Sequence, residues 1–392
     1  MLRWTRVGIA RVPILGRTSL VRTQQRAEGQ LRAIRRRVRQ LADLGPAASD
    51  HAHAARVAIG LVVPGLAIVL AGRPDLLIYA VFGSFVGMYG RTESPAGRIR
   101  HQGQAALILG LAAGIGVELS NHHVGALTLV VAEMLFAGIS SVAADTWGLK
   151  PEGPFFGIFA LGAMATLPSG HVSPTIAVAI GGSTALFCVT LSVVIALRTG
   201  DLRSFAGLRR TSSLRAIRPY TTAETLTHAV RYVMAISLAG AGGLALGIDH
   251  ANWAMAASAV PLAAPDARGG DRSIHGVVQR GVHRVLGTFG GLAITGALLA
   301  PHPGPTFLAV VVIVLLFPTE LFMIHHYGLA LGFFTPLIML MTELAEPTDA
   351  LTLVRDRAID TFIGVVIGIG VAVISRRWGR RRTTPAEVPS PG

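Results

Sequence analysis

The sequence QRGVHRVLGTFGGLAITGALL, residues 279–299, decides the fold class of this chain. Arg280 and Arg284 are four residues apart and therefore share one face of a helix. The run that follows them is apolar, and Gly287 and Gly291 have the GxxxG spacing that lets membrane helices approach closely. The stretch predicts a tightly packed membrane helix with positive charge near its N-terminal end. Such a helix suits a protein that brings an anion to the edge of the bilayer.

The composition of the whole chain favours a membrane protein. Of the 392 residues, 51% are hydrophobic and only 14% are charged, which is more apolar surface than a water-soluble globule could bury. The net charge of +14 could indicate nucleic-acid binding, but the basic residues lie at the ends of apolar runs and in three polar segments, as in the positive-inside pattern. We therefore expect no nucleic-acid partner. The one cysteine, Cys188, excludes an internal disulfide and a multi-cysteine metal site.

The apolar segments fall into two groups of six. We expect an all-α integral membrane protein of about twelve transmembrane helices, arranged as two parallel six-helix repeats at residues 51–197 and 226–375. Basic cytoplasmic segments flank them: an N-terminal arm at 1–50, a linker at 198–225 and a tail at 376–392. The predicted spans are 54–72, 76–90, 104–120, 124–144, 154–168 and 174–197 in the first repeat, and 226–247, 251–265, 283–300, 306–324, 326–342 and 358–375 in the second.

The N-terminal arm contains eleven arginines. Among them, Leu31, Ile34, Val38 and Leu41 recur with helical spacing. This pattern favours a basic amphipathic helix lying on anionic lipids, and a disordered basic arm fits it equally well.

Matching residues relate the two halves. The tetrapeptide His53-Ala54-Ala55-Arg56 recurs as His228-Ala229-Val230-Arg231 at an offset of 175 residues. At an offset of 180, Arg100, Gly110 and Gly116 match Arg280, Gly290 and Gly296. Because each half has an even number of spans, the two have the same orientation and are related by an axis along the membrane normal.

The distribution of arginine fixes the orientation. The N-terminal arm, the linker and the tail contain eleven, six and five arginines, which places all three in the cytoplasm. The opposite face is mostly acidic and receives Arg73, Asp75, Glu118, Asp249, Glu343, Glu346 and Asp349. Arg355 and Arg357, just before the last span, are the exceptions, and we expect Asp356 and Asp360 to offset them.

The motifs of the second half resemble the fusaric acid resistance (FUSC, aromatic acid exporter) family. The elements that carry this resemblance are Trp253, the basic loop to Arg280, the run Arg284 to Thr288 with Gly291, Tyr327, Thr335-Pro336-Leu337, and Arg357 with Asp360-Thr361 and Gly364. The resemblance covers residues 53–197 weakly and 226–375 more specifically. The plant aluminium-activated malate channels are similar in architecture. The resemblance therefore implies export of organic or aromatic acids, or else an anion channel.

Signatures of ATP use and of catalysis are missing from the sequence. Lys150 is the single lysine, and no GxxxxGK[ST] motif surrounds it. Paired catalytic acids, nucleophile elbows, HExxH and metal-ligand clusters are not visible either. We expect no enzyme activity, no cofactor and no metal, and a transport process that is passive or coupled to an ion or proton gradient.

Ionisable residues inside predicted spans are functional candidates, because a charge in hydrocarbon is costly unless it faces a cavity or a partner. Glu133 lies near the centre of its span and is the first candidate for a proton carrier, with a buried packing carboxyl as the alternative. Asp360 is a second candidate for proton coupling, and we expect it to pair with Arg357 one turn earlier. Glu320 is expected to pair with His325 or His326.

The predicted anion pathway contains Arg280, Arg284, Arg56, Arg231, Tyr327 and Thr335. For Arg56 and Arg231 the alternative is snorkelling to the lipid headgroups. Tyr327 and Trp253 could anchor the bilayer interface or form an aromatic wall of the pathway.

These observations predict a multi-pass protein of the plasma (inner) membrane that exports organic or aromatic acids from the cytoplasm. We expect the export to be coupled to the proton gradient. An anion channel of the same architecture is the first alternative, and a membrane scaffold that does not transport is the second. The expected partners are a small organic anion and, through the basic arms, anionic lipids. A homo-oligomer is also possible.

The arginine asymmetry predicts that both termini and the linker are cytoplasmic. A reporter that is active only outside the cytoplasm, fused at Ser204, should therefore give no signal. A strong signal from that fusion would contradict six spans before the linker.

Overall fold

A computed structural model describes residues 48–199, 221–245, 251–263 and 273–383. The predictions for most of the N-terminal arm, for residues 200–220 of the linker, for the loop at 264–272 and for the end of the tail lie outside the described residues.

Every predicted span corresponds to one helical segment. In the first half these are α1 (Ala48–Leu70), α2 (Leu77–Ser84, with a 3-10 turn at Pro74–Leu76 and another at Phe85–Met88), α3 (Pro95–Asn121), α4 (Ala126–Trp147), α5 (Phe155–Ala165) and α6 (Pro174–Arg198). In the second half they are α7 (Thr222–Ala245), α8 (Ala251–Leu262), α9 (Ser273–Leu299), α10 (Pro305–Phe322), α11 (Tyr327–Ala345) and α12 (Ala350–Thr383).

The described part of the chain contains helices and no strands, and eight of its helices are long and apolar enough to cross a membrane. Two shorter apolar segments, Pro74–Met88 and Phe155–Ala165, pack inside the bundle. The exposed large side chains on the long helices are mostly Leu, Ile and Val, as expected of surfaces that face lipid. The prediction of an all-α integral membrane protein is confirmed.

Serine and proline set the start of two of the long helices. Ser94 and Ser173 accept hydrogen bonds from the backbone N–H groups of Gly97 and Ile176, and a proline follows each serine. Serine satisfies a donor that the first turn leaves unpaired, while proline there lacks the N–H that would otherwise need a partner.

The packing of the helices repeats between the halves. Within the first half α2 packs on α6 and α3 packs on α5, and in the second half α8 packs on α12 and α9 packs on α11. The contacts between the halves are also reciprocal, since α4 packs on α7 while α10 packs on α1. This correspondence, helix by helix, is the arrangement expected of two parallel repeats.

Two buried histidine–carboxylate pairs join the halves at matching positions. His53 Nε2 on α1 lies 3.2 Å from Glu320 Oε2 on α10, and His228 Nδ1 on α7 lies 2.7 Å from Asp145 Oδ2 on α4. The offset of 175 residues between the histidines also separates Asp145 from Glu320. The expected pairing of Glu320 with His325 or His326 is wrong, because Glu320 points into the bundle and His325 instead contacts Asp50 at 3.0 Å.

Glycine allows the closest helix contacts. A Cβ atom at Gly364 of α12 would collide with the backbone carbonyl oxygen of Ala254 on α8, and one at Gly287 of α9 would collide with that of Gly328 on α11. At Gly291 a Cβ atom would lie 2.6 Å from Thr335 Cβ. The GxxxG spacing of the opening stretch therefore brings α9 against α11, as predicted.

The same helix provides a matched pair of glycines for a stability test. A Cβ atom at Gly287 meets a carbonyl oxygen, whereas one at Gly290 has no heavy atom within 4 Å among the described residues. Gly287→Ala should lower the free energy of unfolding by about 1–3 kcal/mol through overpacking. Gly290→Ala should leave it unchanged or slightly raised. Thermal unfolding in detergent measures both, and equal melting temperatures would contradict the α9–α11 contact.

Candidate functional site

A cavity of about 410 Å³ opens at the end of the bundle that is predicted to be cytoplasmic. The described residues that line it come from the start of α1, α5 and α11, from the first half of α9, from the ends of α8 and α10, and from the connections at 88–92 and 150–152. Its apolar wall is largely aromatic, with Phe155 and Phe156 on α5 and Tyr327 and Phe334 on α11. Its charged side chains are Arg91, Lys150, Glu152, Arg280, Arg284 and Glu320, and His53 lies beside them.

Two of the four cationic side chains in the cavity wall already have a carboxylate partner. Arg91 donates a hydrogen bond to Asp50, and Lys150 Nζ lies 3.7 Å from Glu93 Oε1. By contrast, Arg280 and Arg284 form no hydrogen bond or ion pair with any described residue. Within the described part of the chain, the cavity's cations that lack an ion-pair partner are therefore the two on α9.

Aromatic rings hold the two guanidinium groups of α9. Arg280 Cζ lies 4.4 Å from the ring centroid of Tyr327, and Arg284 Cζ lies 5.4 Å from that of Phe155. A cation over a ring face is attracted by the ring quadrupole, and this contact leaves the N–H groups at the edge of the guanidinium plane available to another acceptor. Arg284 is only 2% exposed, so an anion bound to it would be largely shielded from water.

The other predicted residues on α11 and α1 have different surroundings. Thr335 does not line the cavity; it is buried at the contact of α11 with Gly291 of α9. Arg56 is also buried, and its Nη2 atom lies 2.8 Å from Nδ1 of His53, which does line the cavity. Arg56 therefore lies inside the bundle and does not snorkel to the headgroups. Arg231 on α7 is half-buried and lies outside the cavity lining.

The two predicted proton-coupling residues also lie outside the cavity lining. Glu133 on α4 is completely buried, beside Gly162 of α5 and Asn252 of α8, and its carboxylate oxygens have no hydrogen-bond partner among the described residues. Asp360 on α12 is completely buried as well, and its oxygens likewise lack a partner in the described part of the chain. The expected close pair of Asp360 with Arg357 is wrong: the two charges attract each other but form no hydrogen bond or ion pair.

Sequence reasoning missed one buried contact. Arg357 Cζ lies 3.9 Å from the ring centroid of Trp253, and both side chains are almost fully buried. Trp253 is therefore not an anchor at the bilayer interface. One feature of the sequence could have indicated a buried arginine here. Arg357 is followed three residues later by an aspartate, near the start of a long apolar helix.

The fold and the cavity together define an integral membrane protein with an internal, positively charged and aromatic-walled cavity. Residues 234–371, which include α8 to α11 and parts of α7 and α12, match the family model described as fusaric acid resistance protein-like. The resemblance predicted from the motifs of the second half is thereby confirmed over this region. It supports a role in membrane transport or efflux.

One curated relative belongs to a bacterium. The uncharacterized membrane protein YvaC of Bacillus subtilis (strain 168) is 27% identical over 159 residues, which is 40% of this chain and 24% of that protein. The match thus spans about a quarter of the relative's length. No solved structure matches the chain.

Proposed function

We propose that the protein exports small organic acids, aromatic acids foremost, from the cytoplasm. The cavity is then the loading site: Arg280 and Arg284 bind the carboxylate group, and the rings of Phe155 and Tyr327 contact the body of the substrate. Arginine suits this role because its planar fork can bind both oxygens of a carboxylate.

The observation that carries the proposal is that these two arginines have no carboxylate partner among the described residues. Burying a guanidinium group in an apolar bundle is costly when no anion compensates it. Every other cationic side chain in the described cavity wall has a partner within the protein. A substrate carboxylate supplies the missing charge at Arg280 and Arg284.

The far side of the cavity favours a carrier over an open pore. Phe85, Phe156, Phe159 and Phe334 form a cluster in which neighbouring ring centroids are 5.2–6.5 Å apart. Two of these rings, Phe156 and Phe334, are also part of the cavity wall. An anion that enters from the predicted cytoplasmic end therefore meets packed rings, and its release on the other side requires a change of conformation.

The proposed energy source is the proton gradient, with Glu133 as the first proton site and Asp360 as the second. Both carboxyl groups are completely buried and lack hydrogen-bond partners among the described residues. A carboxyl group in such surroundings is stable when it carries a proton, and it needs exposure or a cation when it loses one. Export from the cytoplasm further implies an inner-membrane location with cytoplasmic termini.

Arg284 provides the direct test of the loading site. At about 4 Å a pair of unit charges is worth roughly 4 kcal/mol at an effective dielectric constant near 20. Arg284→Lys keeps this charge but loses the fork, so the apparent Km for benzoate should rise roughly tenfold. Arg284→Ala should raise it further or abolish transport. The measurement is initial flux per inserted molecule in proteoliposomes.

Benzamide, which has the same ring without the charge, serves as the control substrate. A lysine variant that transports benzoate like wild type, together with an alanine variant that inserts poorly, would show that Arg284 only sets orientation. The same vesicles separate the alternative functions: an exporter accumulates benzoate against its gradient, a channel equilibrates it and conducts current, and a scaffold does neither.

Glu133 provides the test of proton coupling. Glu133→Gln removes the titrating group at nearly constant volume, so the protein should fold and bind benzoate while the pH dependence of accumulation is lost. Glu118→Gln is the matched control, because Glu118 is an exposed carboxylate that pairs with His122 at the end of α3. An unchanged pH profile in the Glu133 variant would show that the residue is only a packing carboxyl.

A further inference from the structure

The guanidinium group of Arg357 lies deep in the bundle, and two of its nitrogen atoms have no acceptor among the described residues. The residue is 3% exposed, and its Nε and Nη1 atoms have no hydrogen-bond partner in the described part of the chain. Three helices surround it: Trp253 comes from α8, Phe159 comes from α5, and Asp360 is on α12 itself. Arg357 is therefore held by rings and not by a carboxylate.

The geometry of this contact leaves the donor edge of the arginine free. Arg357 Cζ is 3.9 Å from the Trp253 ring centroid and 5.9 Å from that of Phe159. A ring below or above the guanidinium plane contacts the face of the group, whereas its N–H donors point outward within the plane. The Trp253 ring therefore stabilises the cation without supplying an oxygen or nitrogen acceptor to its donors.

Arg357 is electrostatically connected to the cavity. It is close enough to Arg284 for the two positive charges to repel each other. Phe155, the ring beneath Arg284, stacks on Phe159 with centroids 5.8 Å apart, and Phe159 in turn neighbours Arg357. Each of the two arginines thus lies near one ring of the same stacked pair.

The charge balance around this ring pair is uneven. Arg284 and Arg357 contribute two positive charges, and Asp360 is the acidic group among the described residues whose charge acts on Arg357. An anion between the arginines would reduce their repulsion and would give acceptors to the free donors of both.

We propose that Arg357 forms an inner binding site for a carboxylate, one step beyond the loading site of Arg280 and Arg284. The inference rests on the proposed function, since the same anion moves from Arg284 to Arg357 past the stacked rings. Trp253 and Phe159 flank the carboxylate at the inner site, so a ring attached to it gains contacts that an aliphatic chain of the same charge does not.

Trp253 provides a local probe of this site. The variant with Trp4, Trp147 and Trp378 changed to Phe retains Trp253 as its single tryptophan. In nanodiscs, its emission should change saturably when benzoate is added, and benzamide should have no effect. The response should vanish in Arg357→Gln, and Arg357→Lys should weaken it about tenfold in apparent Kd because lysine lacks the fork. Lysine keeps the charge, so this variant remains informative if glutamine at the site prevents folding.

Arg355→Gln is the matched control, because this arginine is two residues earlier on α12, its side chain is 72% exposed and it pairs with Asp356. It should respond and transport like wild type. In proteoliposomes, Arg357→Lys should reduce the benzoate flux per molecule about tenfold, with little change in membrane abundance.

The outcomes separate this inference from the proposed function. If the protein transports benzoate but the emission of Trp253 does not change, the inner site does not exist. The same conclusion follows if Arg357→Lys has wild-type flux and a wild-type emission response. In both cases the proposed loading site is not contradicted. A wild-type protein that neither moves benzoate nor responds to it overturns both.

Discussion

The cost of holding positive charge inside an apolar helix bundle is the constraint on which this structure depends. The protein meets it in three ways: Arg91 has a carboxylate partner, Arg56 contacts a histidine, and Arg284 and Arg357 lie over aromatic rings. Only the last way keeps the hydrogen-bond donors of the arginine available. The aromatic residues of α5 and α8 therefore stabilise the buried arginines and leave them able to bind an anion.

Close helix packing is what brings these groups together. α5 and α8 are short, and each is surrounded by longer helices. The contacts of Gly364 with α8 and of Gly287 with α11 help to set the distances at which Arg357 meets Trp253 and Arg280 meets Tyr327. A side chain at either glycine would separate the helices and would move the arginine on the same helix. Packing and electrostatics are thus coupled through the same two helices, α9 and α12.

The sequence predicted the helices far better than it predicted the partners of the buried groups. Hydrophobic runs identify a span locally, and each of the twelve runs became a helical segment. The placement of Arg280 and Arg284 in one cavity also agrees with their local spacing and charge. In contrast, the partner of Glu320 is His53, 267 residues away, and the ring over Arg357 comes from a different helix. Such pairs depend on how helices turn toward each other, which periodicity within one helix does not specify.

The reciprocal histidine–carboxylate pairs have a consequence for the ancestry of the chain. Each half supplies one histidine and one carboxylate, and both bonds form only across the boundary between halves. A single half, taken by itself, would lack these two contacts, and a second copy related by a twofold axis would supply them. Such reciprocal pairs are expected when the gene of a symmetric dimer is duplicated and fused. The interface between the two ancestral subunits then becomes the interior of one polypeptide.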